Sequence, residues 1–173
     1  MTIAVYPGTF DPITYGHLDI IKRALLLFDT LKIAVYENPD KKPLFSLEQR
    51  MKLVKEALND LPSVQVESFQ ELIVDYIHKV GGQVMVRGLR ASSDFEREFE
   101  MALMNKKLAP KIELVCLMTS AQYQFLSSSL IKEVAMLGGC LEGLVPDHVA
   151  TALRESFSSS LTKVSAGGSK QQD

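Results

Sequence analysis

The stretch Thr2-Ile3-Ala4-Val5-Tyr6-Pro7-Gly8-Thr9-Phe10-Asp11-Pro12-Ile13-Thr14-Tyr15-Gly16-His17 decides the fold class. Its opening residues, Thr2–Tyr6, form a short apolar run that reads as a strand. Pro7, Gly8 and Pro12 then punctuate a turn. From Thr14 onward the spacing changes: Leu18, Ile21, Leu25 and Phe28 recur at helical period. A strand that passes through a tight loop straight into a helix is the opening unit of an α/β protein.

Outward from this unit the alternation repeats. Leu31–Tyr36, Ser63–Glu67, Gln83–Arg87 and Ile112–Met118 read as further strands. Helices are predicted over Ser46–Leu58, Gln70–Val80, Ser93–Leu108, Ser129–Leu137 and Asp147–Phe157. Ser46 with Gln49 three residues on makes a capping-box start, and Gly81-Gly82 stops the helix before it. On the helix that ends before Pro110, Phe95, Phe99, Ala102 and Leu103 share one side. This order predicts a single-domain, Rossmann-like doubly wound sheet of about five parallel strands with helices on both faces. The domain spans residues 1–157. Ser158–Asp173, rich in Ser, Gly, Lys and Gln, is expected to be a loose tail.

The 173 residues suit one domain with a sizeable core, and the net charge of −2 advertises neither nucleic acid nor an anionic membrane. No apolar run approaches the length of a membrane span, and no leader pattern opens the chain. Cys116, in the apolar run Ile112–Met118, is expected to be a buried small hydrophobe. Cys140 has no metal or redox spacing near it. The two cysteines suggest no disulfide framework, so a reducing cytoplasm is expected. His78 and His148 sit in amphipathic stretches without metal-ligand spacing and read as structural, and no protein metal site is expected.

In a sheet of this kind ligands bind beyond the carboxyl ends of the strands. Gly8 lets backbone approach a ligand there, Thr9 brings a hydroxyl, and the helix start at Gly16-His17 offers N–H groups that favour phosphate. His17 can donate a hydrogen bond to charge developing in a transition state. Alone, a Gly-His pair is an ordinary turn feature. Arg87-Gly88-Leu89-Arg90 ends the fourth strand with two planar donor forks suited to phosphate oxygens. Lys41-Lys42-Pro43 follows the second strand. Tyr123-Gln124-Phe125-Leu126-Ser127-Ser128-Ser129 follows the fifth and sets three serines at a helix start, either a redundant cap or a phosphate cradle. Lys132 lies one turn further on.

With these segments in place, Tyr6–His17 resembles the signature of the nucleotidyltransferases that carry a (His/Thr)-x-Gly-His motif, with Thr14 at its first position. The resemblance is strongest to the bacterial phosphopantetheine adenylyltransferases and runs from about Ile3 to Phe157. It implies transfer of the adenylyl group of ATP to 4′-phosphopantetheine, giving dephospho-coenzyme A and pyrophosphate. On that resemblance His17, Thr9, Lys41 and Arg90 are the catalytic set. Thr9, Phe10, His17, Gly88, Leu89, Arg90, Glu98 and Tyr123 to Ser129 hold ATP. Thr9, Lys41, Ile73 and Arg87 hold the acceptor. It further implies Mg²⁺ carried mainly by the ATP phosphates and water, a homohexamer, and coenzyme A as a feedback inhibitor. Arg97 departs from the aromatic common at its position, and Leu126 replaces the usual isoleucine of the second motif. A dinucleotide-dependent oxidoreductase would share the sheet, but the first turn lacks Gly-x-Gly-x-x-Gly.

Overall fold

Short Val/Ile runs pair side by side in a parallel sheet whose central strands bury both faces. The computed structural model describes residues 2–38, 42–90 and 92–166. Its strands are β1 (Ile3–Gly8), β2 (Thr30–Tyr36), β3 (Val64–Phe69), β4 (Val84–Leu89) and β5 (Glu113–Met118). They form one sheet in the order β3-β2-β1-β4-β5, every described pair parallel. The chain builds outward from β1 to β3, then returns to β1's other side for β4. The switch point therefore falls between β1 and β4, where such sheets bind ligands.

The helices are α1 (Tyr15–Ala24), α2 (Leu47–Ala57), α3 (Ile73–Lys79), α4 (Ser92–Leu108), α5 (Ser128–Met136) and α6 (Asp147–Ala166). Strand residues alternate between two cores. Ala4, Tyr6, Ile33, Val35 and Val86 join Ile20 and Ile21 of α1, Val54 of α2, Ile131 of α5 and Leu153 of α6. Val5, Ala34 and Met85 point the other way, against Val74 and Ile77 of α3. The predicted doubly wound architecture is what folds.

Two features differ from the expectation. α6 continues to Ala166 instead of ending at Phe157, and the last part of the expected tail, 167–173, lies outside the described residues. Extending an existing helix costs no new nucleation, so a Ser-rich segment can follow. Cys116 is exposed, not buried, because β5 is the sheet edge. The apolar side of α4 also stays on the surface: Phe95, Phe99 and Leu103 are 56%, 53% and 59% exposed.

Candidate active site

The loop after β1 is held in an unusual shape. Phe10 has φ of 48°, a left-handed conformation that a bulky residue adopts only when its surroundings impose it. Its ring is almost wholly buried, edge-on to Tyr6 at 5.6 Å and 5.1 Å from the His17 ring. Gly8 makes room for it, since a Cβ there would meet the Phe10 ring at 2.9 Å. The Asp11–Pro12 peptide is cis.

Two residues that carried no assignment in the sequence reading brace this loop. Arg50 of α2, 2% exposed, donates to the carbonyls of Thr9 (2.7 Å), Tyr36 (2.9 Å) and Phe45 (3.2 Å). Asp11, 4% exposed, accepts from the backbone N–H groups of Leu44 and Phe45 at 3.0 and 2.9 Å. It also accepts from Lys132 Nζ at 2.6 Å. An aspartate inside a Pro-flanked turn was the available signal for Asp11; nothing in the sequence marks Arg50 apart from other helix arginines.

Thr14 caps α1 through a capping box in which His17 fills the place usually taken by Glu or Gln. Thr14 N–H donates to His17 Nδ1 at 3.1 Å, and Thr14 Oγ1 lies 3.0 Å from the same atom. A ring nitrogen that accepts a backbone N–H carries no proton, so in the neutral ring the proton sits on Nε2. Burial, followed by the nearby positive charges of Arg90 and Arg87, lowers the His17 pKa to about 4. At neutral pH the site therefore holds an uncharged imidazole with an Nε2–H donor.

His17 lines an open cavity of about 450 Å³ at the switch point, within the range of small-molecule sites. Thr9, Phe10, Arg87, Gly88, Arg90, Glu98, Leu126, Ser127, Ser128 and Ser129 line it with His17, as do Lys42, Asp11, Thr14 and Lys132. Gly88 must lack a side chain, because a Cβ would stand 2.9 Å from Ile20 Cγ1. Arg90 Nη1 donates to the Leu126 carbonyl at 2.9 Å, tying the β4 end to the serine loop. Ser127 caps α5 by accepting from Leu130 N–H, and Ser128 Oγ donates to the Pro12 carbonyl at 2.8 Å. Ser127 thus caps its own helix, and Ser128 ties the loop to the β1 turn.

Some sequence-assigned residues lie elsewhere. Leu89 is a core residue outside the cavity lining, and Ile73 packs against the α3-side core. Tyr123, Gln124 and Phe125 are also outside the lining; Phe125 is 61% exposed, and Tyr123 stacks on Tyr15 at 6.3 Å. Lys41 lies outside the described residues. Glu98 lines the cavity, but its carboxylate grips Arg87 in a two-pronged ion pair. Among the described residues no three His, Cys, Asp or Glu side chains are grouped to hold a metal ion. The acidic pair facing the cavity, Asp11 and Glu98, is committed to cations. No described helix is long and apolar enough to cross a membrane.

Residues 5–134 match the cytidylyltransferase-like family, which makes the class a nucleotidyltransferase. A solved Vibrio parahaemolyticus structure described as a putative nicotinate-nucleotide adenylyltransferase superposes with a TM-score of 0.68. It covers 91% of this chain and 95% of that one, at 17% identity, and so speaks to fold alone. The chain belongs to the phosphopantetheine adenylyltransferase family. It is 59% identical over 157 residues to the Carboxydothermus hydrogenoformans phosphopantetheine adenylyltransferase, covering 91% of this chain and 97% of the relative. It is likewise 59% identical over 149 residues to that of Clostridium tetani, covering 86% and 93%.

Proposed function

We propose that this cavity binds ATP and 4′-phosphopantetheine together and joins them by in-line attack of the acceptor phosphate on the α-phosphorus. A bond forms between an acceptor phosphate oxygen and the α-phosphorus. The bond from that phosphorus to the bridging oxygen of the leaving pyrophosphate breaks, and dephospho-coenzyme A results. The attacking group is already an anion, so no covalent nucleophile on the protein is required. The observation that carries this reading is the neutral His17, its Nε2–H available in a cavity also lined by Arg87 and Arg90. A neutral donor stabilises charge growing on the α-phosphate without gripping the ground-state triphosphate as a cation would.

In this reading Thr9 joins His17 at the α-phosphate. Arg90, Gly88, Leu89, Phe10 and the Tyr123–Ser129 segment serve the nucleotide. Arg87, Lys41 and Ile73 serve the acceptor. Lys132, held by Asp11 at the mouth of the serine loop, adds positive charge. Mg²⁺ riding on the triphosphate and its water would neutralise part of the repulsion between the two substrates. That fits a cavity whose carboxylates already have cationic partners. The exposed apolar side of α4 supports assembly into a homohexamer. Coenzyme A, which shares the product's skeleton, would inhibit by competing for the cavity, in a cytoplasmic setting.

Pyrophosphate release tests the reading directly. Release is expected from ATP only when 4′-phosphopantetheine is present. Release with nicotinamide mononucleotide as acceptor, or with CTP as donor, would reassign the substrates, and ATP binding without release would make the chain a sensor.

A further inference from the structure

Arg87 lies within β4, directly before Gly88, and Glu98 stands on α4; both line the cavity. A guanidinium has five N–H groups in a fixed plane. Nε–H donates to Glu98 Oε2 at 2.7 Å, and Nη2 donates to Glu98 Oε1. Nη1 donates to the Pro7 carbonyl at 2.9 Å. Glu98 therefore takes the Nε/Nη2 edge of the fork and Pro7 takes one Nη1 donor, which leaves one N–H on each terminal nitrogen among the described contacts. Both donors remain open to phosphate oxygens. The Glu98 side chain is 17% exposed and that of Arg87 is 30% exposed, so the ion pair is partly withdrawn from water and holds its geometry.

We propose that Glu98 is the positioning residue of Arg87: its carboxylate fixes the guanidinium plane so that the remaining N–H donors face the acceptor phosphate, and it serves the nucleotide only indirectly. The inference rests on the acceptor role given to Arg87 above. Direct phosphate recognition by Glu98 is chemically unsuited, since an ionised carboxylate is an acceptor only and repels phosphate. Both of its oxygens are already engaged by Arg87. A freely rotating arginine would have to be ordered each time the acceptor bound; the pair removes that cost in advance.

Steady-state pyrophosphate release by the full chain, varying one substrate at a time, tests the assignment. Glu98→Gln keeps the shape but loses one prong and the charge. It should raise the acceptor KM roughly tenfold, the effect of losing one charge-assisted hydrogen bond. The ATP KM should stay within about twofold of the parent, as expected for a group that does not touch the nucleotide. Glu98→Asp, which keeps the charge on a shorter arm, should fall between. In an Arg87→Lys background the Glu98→Gln change should add less than about twofold, because the two residues act as one unit. A raised ATP KM with an unchanged acceptor KM overturns the assignment. So does full additivity, or no change in either parameter. ATP binding measured without turnover separates this failure from failure of the functional reading. If parent enzyme releases no pyrophosphate with 4′-phosphopantetheine, the reading falls, whereas a tenfold loss of ATP affinity in Glu98→Gln sinks the Glu98 assignment whatever the acceptor.

Discussion

The imidazole of His17 turns its Nδ1 atom back to the N–H of Thr14, 3.1 Å away, and so presents Nε2 as the protonated edge. With a pKa of about 4, the ring is uncharged across the physiological range. His17→Asn should lower turnover roughly 10²-fold, the usual cost of removing one transition-state donor. The activity of the parent should show no His17 limb between pH 5 and 8. Any inflection near pH 6 should belong to the acceptor, whose phosphate has its second ionisation at about that value, and should persist in His17→Asn. A limb that vanished with the histidine would refute the neutral-ring assignment.

The same shift has a stability consequence. The His17 pKa is lower in the fold than the usual 6.5, so between those values the unfolded chain binds the proton first. The contribution is complete above pH 6.5 and is lost as pH falls toward 4. Urea midpoints at pH 7 and pH 5 should therefore converge in His17→Asn relative to the parent.

Asp11 and Lys132 form an ion pair with unequal dependence. The Asp11 side chain is 6% exposed, while that of Lys132 is 29% exposed and can turn to solvent. Asp11→Ala strands two backbone N–H groups and a cation, which should cost roughly 2 kcal/mol or more. Lys132→Met leaves Asp11 its backbone donors and should cost less than about 1 kcal/mol. Denaturant unfolding of the two variants reads the ordering, and a reversed order would remove Asp11 as the anchor of the loop.

Arg50 reaches three carbonyls with one planar fork. A lysine carries a point charge and cannot match that geometry. Arg50→Lys should lose roughly 1–3 kcal/mol and lower Tm by several degrees. It should also impair ATP engagement, because the Thr9 carbonyl is one of the three. An unchanged ATP KM would confine Arg50 to a purely scaffolding role.

Phe95 and Phe99 stack at 6.0 Å on the outer side of α4, each more than half exposed. If that side meets other copies of the chain, Phe99→Asp should reduce the assembled mass seen by sedimentation without unfolding the domain. An unaltered mass would take this face out of the assembly.

Much of this protein is written locally. The strands are short Val/Ile runs, and the Ser46–Gln49 box closes reciprocally as its spacing implies. The Thr14–His17 pair sits within one helical turn, so the resemblance of the motif and its hydrogen bonding arise from the same few residues. The misreadings share a cause. Cys116 looked buried because periodicity does not distinguish an edge strand from a central one. The last helix looked shorter because composition does not show that a helix is already running into a Ser-rich stretch.

What the sequence determined by itself is therefore the element order and the first-turn motif, both set by neighbours within a few residues. Only the tertiary structure decided which cations are held by which anions. Lys132 meets Asp11 across 121 residues of chain, Arg87 meets Glu98 from the next helix, and Arg50 reaches Thr9 across 41. A charged side chain's partner depends on which strand ends the sheet order β3-β2-β1-β4-β5 brings together. That order is settled by burial of both sheet faces at once, a property of the whole chain and not of any segment.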